Sequence, residues 1–188
     1  MSKQVWKPGN MLYPVPAVMV TTADGEGKDD IVTIAWAGTV CSDPVMVSIS
    51  VRKERYSHSM ITKTGEFAIN LVTEELTRAC DYCGVKSGRD VEKFEACGLT
   101  RYPAAKINVP LIKESPLSLE CKVKQVLELG THDMFIAEVV AVDADEKYMD
   151  ENGKFDLAGS KLMSYVHGEY YGLGEKLGKF GYSVQKKS

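Results

Sequence analysis

What this chain has little of narrows its function before any motif is read. No uninterrupted apolar run approaches the roughly 20 residues needed to span a bilayer, so no membrane anchor is expected. The opening stretch, MSKQVWKPGNMLYPVP, has no apolar core of the kind a secretory signal carries, and the expected location is cytoplasmic. An excess of one charge is missing too. Lys and Arg number 23 against 26 Asp and Glu, a formal net charge of -3, so no global cationic field recruits nucleic acid. Five cysteines, an odd number without framework spacing, read as reduced thiols. No internal repeat and no linker between halves is visible. With 44% hydrophobic residues, the chain reads as one globular domain over 1–188 with a real core.

The stretch around which the chain is organised runs from Thr33 to Ser57. Thr33-Ile34-Ala35-Trp36 is β-rich, Ala37-Gly38-Thr39 reads as a small-residue loop, and Cys41-Ser42-Asp43-Pro44 as a turn. Val45 to Val51 alternates as a half-buried strand should. Arg52, Lys53 and Arg55 follow, then Tyr56 and Ser57, with a short helix predicted from Ser57 to about Gly65. A Ser at a helix start beside cations and free backbone N–H groups makes a site for a phosphate dianion. The small-residue loop leaves backbone open to something flat and polar.

Elsewhere, Ala17–Thr22 reads as a buried strand, Asp24-Gly25-Glu26-Gly27 as a hairpin turn and Glu66–Leu71 as another strand, with Asn70 inside an apolar run. Thr73 is expected to cap a helix whose one face carries Leu76, Ala79, Cys80 and Cys83. Asp90 is expected to cap a second, holding Lys93 and Phe94. Tyr102–Pro116, interrupted by proline, is expected on the surface or at an interface. Leu117–Leu129 alternates over its whole length, and after a turn at Gly130–Asp133 its partner is Met134–Asp143. The segment 162–188 is a Gly/Tyr-rich extension whose aromatics must cover the barrel, a ligand or a partner subunit. Short strands with helices inserted in one block predict a mainly β fold, an antiparallel Greek-key β-barrel with helical insertions.

Two chemistries are weighed and set aside. Cys80-Asp81-Tyr82-Cys83 is a CxxC, but zinc needs four ligands and only Cys97 is near in sequence, while a dithiol enzyme would place the pair at a helix start. Cys41 has no cationic neighbour in sequence to make it a thiolate, so packing against a ligand suits it better. No metal is expected.

In their order and spacing the motifs VMVTT, TIAWAGTVCSDP, SISVRKERYSH, GEFAINL, DYCGVKSGRDVEKF and GTHDMFIAEVV resemble the flavin reductase-like family of the FMN-binding split barrel, and within it the flavoredoxins. The resemblance covers roughly Tyr13 to Val184. It implies a homodimer of six-stranded split barrels, each binding one FMN near the subunit interface. Carried over by residue, Ala35, Trp36, Ala37, Thr39, Cys41 and Ser42 would lie along the isoalloxazine. Ser50, Val51, Arg52, Lys53, Arg55, Tyr56 and Ser57 would hold ribityl and phosphate, Lys93 would approach the phosphate, and His132 would meet a nicotinamide nucleotide or substrate. No residue is catalytic in the strict sense, because hydride transfer needs no protein acid or base. Three readings follow: an oxidoreductase taking electrons from NAD(P)H through FMN to flavin, ferric iron or another acceptor; an electron-transfer flavoprotein reduced by a redox protein partner; or a non-enzymatic flavin carrier. The absence of GxGxxG does not separate them, since the family does not use that motif.

Overall fold

The computed structural model describes residues 2–184; the last four residues of the Gly/Tyr-rich extension lie outside that range. Strand β1 (Val15–Pro16) precedes β2 (Val18–Ala23), all six residues of which are buried. Alternation explains this: Val18 and Val20 point into the barrel, while Ala17 and Met19 point out beneath helices. At the predicted hairpin turn, the Asp24 carboxylate accepts from the Glu26 and Lys28 N–H groups at 2.7 and 3.0 Å. The chain returns as β3 (Asp29–Ile34), antiparallel to β2. Next come β4 (Ala37–Ser42), β5 (Val45–Arg52), helix α1 (Tyr56–Thr64) and β6 (Glu66–Asn70). Gly65 ends α1 with φ 69°, the left-handed conformation that favours glycine.

Helices α2 (Thr77–Val85) and α3 (Lys93–Ala96) pack on the outer face of β3, and the short pair β7 (Arg101–Tyr102) and β8 (Leu111–Ile112) follows. In the long hairpin, β9 (Leu117–Leu129) has the length its alternation predicts, while β10 (His132–Ala144) is longer than the expected Met134–Asp143, because pairing with β9 draws His132, Asp133 and Ala144 into the ladder. The main sheet runs β3-β2-β6-β9-β10-β5-β4. The Ser50 N–H donates to the Trp36 carbonyl at 2.9 Å, joining β5 to the chain leaving β3. Six strands thus wrap around one core and β4 rides outside as an edge. A third hairpin, β11 (Met163–Val166) and β12 (Glu169–Gly172), pairs with β1 in its own small sheet.

Asn70 is a structural hub: its amide donates to the Met19 carbonyl at 3.0 Å and to Thr21 Oγ1 at 3.2 Å. Its carbonyl oxygen accepts from the Ile112 N–H and Ser118 Oγ. All its demands are met internally, as a buried amide requires.

Four local expectations are corrected. The Ala37–Thr39 segment is strand, not loop, because β5 supplies a hydrogen-bonding partner that small residues accept as readily as large ones. The α1 cap is Arg55, without a side-chain cap bond; Ser57 lies inside the helix, buried, and its hydroxyl donates to Asp30 instead. Glu92, not Asp90, caps α3, accepting from the Glu95 N–H at 2.8 Å. Segment 102–116 is not superficial. Ile107, Val109, Leu111 and Ile112 are buried, and the fully buried Glu120 holds the Ala105 and Lys106 N–H groups at 2.6 Å each.

Candidate functional site

Three adjoining cavities open where β3 and β5 end and β10 and α1 begin. The largest, about 790 Å³, lies between the chain after β3, the end of α2 and the β11–β12 hairpin. A recess of about 140 Å³ is lined by Ala35, Trp36, Ser50, Arg52, Arg55 and His132. A third space, about 320 Å³, lies between the start of α1 and the 86–89 loop, above Asp30 and Lys93. The first and third fall in the size range of cofactor sites, roughly 300–1,000 Å³, and the recess is a smaller annexe between them.

Arg55 borders all three. Its guanidinium has no side-chain hydrogen-bond partner among the described residues, and it stands at the N-terminus of the nine-residue α1. Arg52, its neighbour across the recess, pairs with Glu54 at 3.1 Å in solvent. Cation and helix end together favour an anion.

Beneath the third cavity lies a buried polar cluster. The Lys93 ammonium donates to the Ile31 carbonyl and, at 3.3 Å, to the Cys83 carbonyl; Asp30 lies 3.0 Å from it as an ion pair rather than a well-aligned hydrogen bond. Asp30 also accepts from Ser57. The cluster ties β3, α1, α2 and α3 together. With three neighbours already around its three N–H groups, Lys93 acts on this cavity through its charge and as a support of its floor. Gly88 forms the opposite lip: a Cβ there would lie 2.2 Å from Asp30 Oδ1, so only glycine lets the 86–89 loop close over the cluster.

The wall of the large cavity is aromatic. The Tyr13 ring lies 6.1 Å from Trp36, 6.0 Å from Tyr165 and 5.5 Å from His167, and Tyr165 lies 5.6 Å from Tyr170. His167 and Gly168 make the two-residue turn of the β11–β12 hairpin, with φ of 44° and 99°. Such turns need positive φ at both positions and seldom place His there, so the ring is held at the cavity mouth at some conformational cost. Tyr170 donates to Asp81 at 3.0 Å; burial first, and then that carboxylate, push its phenol well above the usual range, so it stays protonated.

His132 is the first residue of β10, in register with Arg52, rather than part of the turn. Burial, reinforced by repulsion from Arg52, holds its imidazole below the ordinary His value, so it is neutral at physiological pH. Asp133, the next residue, points to the other face. Burial tends to raise it, but the hydrogen bond with His58, at 2.8 Å, and the ion pair with Lys53, at 3.2 Å, outweigh that and hold it below the usual carboxylate range.

Of the residues singled out in the sequence, the structure brings Ala35, Trp36, Ser50, Arg52, Arg55 and His132 around the recess, and Arg55, Tyr56, Ser57 and Lys93 around the third cavity. Val51 is fully buried in the barrel core, and Lys53 pairs with Glu128 and Asp133 away from the cleft. Ala37 packs against the barrel core, while Thr39, Cys41 and Ser42 lie along the β4 edge; none of these four lines any of the three cavities. Sequence reasoning missed Tyr13, Asp81 and the 86–89 loop. For the last, the basic Gly/Ser composition was the available signal.

Comparison with known proteins supports one assignment. The family model described as "Flavin reductase like domain" matches residues 11–174. The fold is similar to that of the flavoredoxin of Desulfovibrio vulgaris (Miyazaki F), with a TM-score of 0.90, 31% identity, and coverage of 98% of this chain and 100% of that one. It is also similar to flavoredoxin from Methanosarcina acetivorans, with a TM-score of 0.87, 27% identity and coverage of 98% and 100%. A ferric-chelate reductase (NAD(P)H) of Archaeoglobus fulgidus is 30% identical over 105 residues, 55% of this chain and 60% of that protein.

Proposed function

The chain belongs to the flavin reductase-like family, and from that premise we propose that it is an FMN-binding oxidoreductase that passes electrons from NAD(P)H to free flavin, ferric iron or another acceptor. The observation that carries the reading is the Arg55 guanidinium at the α1 N-terminus, without a side-chain hydrogen-bond partner among the described residues and shared by a flat aromatic-walled cleft and a cation-floored pocket.

The residues present fit FMN. Arg55 and the first N–H groups of α1 would hold the phosphate over the Lys93–Asp30 floor, with Gly88 leaving room for close approach. Ala35 and Trp36 offer an open surface and a flat wall for the ring system. Bound there, the flavin supplies the two-electron hydride chemistry, which the side chains need only position and tune. His132, kept neutral, would donate a hydrogen bond to the incoming nucleotide or acceptor without adding charge to the recess. Tyr13, Tyr165 and Tyr170 would shed water from the large cavity. We also propose a homodimer. The open edge of β4 and the start of β5, with Val40 and Val45 half exposed, form a surface that a second copy would cover, bringing Thr39, Cys41 and Ser42 out of solvent.

The similarity to two flavoredoxins supports a second reading, an electron-transfer flavoprotein reduced by a protein partner without nicotinamide. An anaerobic titration of the FMN-loaded protein with NADH and then NADPH separates the two. Stoichiometric bleaching of the flavin band is expected and names the donor. If dithionite bleaches the flavin and neither nucleotide does, the nicotinamide-linked reading is wrong.

A further inference from the structure

The CxxC of α2 is not the closest thiol pair in the molecule. Cys83 Sγ lies 3.9 Å from Cys97 Sγ, across the junction of α2 with the C-cap of α3, while Cys80 faces the same apolar layer without such a neighbour among the described residues. We propose that Cys83 and Cys97 are a reversible redox couple whose disulfide staples the ends of the 84–96 segment and thereby alters the cleft that segment borders.

Four observations carry this. First, the sulfurs are already in contact, and closing from 3.9 Å to the bonded distance of about 2.0 Å asks for rotamer changes and a small shift of α3. Second, the two thiols differ in access. Cys83 is fully buried and Cys97 is partly exposed, so a small peroxide meets Cys97 first and Cys83 waits behind it as the resolving thiol. Third, the Lys93 ammonium donates to the Cys83 carbonyl at 3.3 Å. Burial leaves both thiols above the ordinary cysteine value, and the charge of Lys93 offsets only part of that at each sulfur, so the couple answers sustained rather than brief exposure to peroxide. Fourth, the segment between the two cysteines contains Lys86, Ser87, Gly88 and Arg89, which line the pocket over Lys93. A bond at its base changes how that wall can move.

The reaction balances with hydrogen peroxide as oxidant. The Cys97 sulfur attacks a peroxide oxygen and breaks the O–O bond, giving a sulfenic acid and one water. The Cys83 sulfur then attacks the Cys97 sulfur, forming S–S and releasing the hydroxyl, which leaves with the Cys83 proton as a second water. Two electrons pass from the sulfurs to peroxide, and a dithiol reductant returns them.

Trypsin separates the two cysteines, because Lys86, Arg89 and Lys93 lie between them. The test treats the full-length protein with hydrogen peroxide, alkylates the remaining thiols, digests without reduction and maps the peptides by mass. Peptides 79–86 and 94–101 should be found joined. The link should vanish on reduction and in Cys97→Ser, and persist in Cys80→Ser. Sulfinic acid on Cys97 without a link, or a bond from Cys80 to Cys83 inside peptide 79–86, would overturn the proposal. The effect on flavin rests on the site reading above, whereas the bond itself does not. FMN affinity of oxidised and reduced protein should differ about fivefold or more; equal affinities with the link present would sink the coupling, and failure of the reduced protein to bind FMN would sink the site reading instead.

Discussion

Lys93 shows how one buried charge serves both fold and site. Its ammonium is 3% exposed and faces the equally buried Asp30, so the two charges hold each other in a place where neither would survive alone. Replacing it as Lys93→Met strands the Asp30 carboxylate, and urea unfolding should show a loss of roughly 3–5 kcal/mol. The double variant with Asp30→Asn should lose less than the sum of the two singles, since the stranded charge is then gone. Arg55 differs in having no side-chain hydrogen-bond partner among the described residues and in facing the cavities. Arg55→Ala should weaken FMN about 10- to 100-fold, the value of one charged hydrogen bond, and leave riboflavin, which has no phosphate, nearly unchanged. Fluorescence titration of both flavins checks this, and equal losses would remove Arg55 from the phosphate site.

At the scale of elements, the C-terminal extension divides in two. Its first half is the β11–β12 hairpin, and Tyr165 and Tyr170 pack on the layer under α2. Among the described residues its second half buries no large side chain: Leu177, Phe180 and Tyr182 are exposed. Removing the chain after Gly174 should therefore leave the thermal midpoint of the isolated barrel close to its starting value. If those side chains serve a subunit interface, sedimentation should show the truncated protein shifting toward monomer; an unchanged dimer mass would assign them elsewhere.

The whole molecule carries an internal strain that pH should reveal. Asp143 sits beside the fully buried Glu120, whose charge already holds two backbone N–H groups. Burial, and then Glu120 through hydrogen bonding and like charge, push Asp143 from 3.8 to about 6. Between those values the folded chain keeps a proton that the unfolded chain has lost, so the contribution of this group to stability falls as pH rises through 4 to 6. Asp143→Asn should gain stability relative to the wild type at pH 7.5 and lose that gain at pH 4, read as melting midpoints. Asp133 works in the opposite sense. Its lowered carboxyl supports the fold above the ordinary Asp range and withdraws that support as acid protonates it.

Much of this was legible in the sequence, because the information was local. Alternation from Leu117 to Leu129 marked a strand of that length, Asp24 to Gly27 marked a turn, and the face of Leu76, Ala79, Cys80 and Cys83 marked the buried side of α2. Those patterns depend on neighbours a few residues away, and the same local order let the motifs point to a flavin-binding barrel. Tertiary structure decided the rest, because it concerns partners far apart in the chain. Ala37 to Thr39 became strand only because β5 lay beside it, and Ser57 turned from cap to buried donor because Asp30, 27 residues earlier, was within reach. Tyr13 met Tyr165 through the pairing of β1 with β11, and Cys83 found Cys97 rather than Cys80 because the C-cap of α3 comes back to the end of α2. Periodicity in a sequence reports which side of an element is buried; only packing decides what it is buried against.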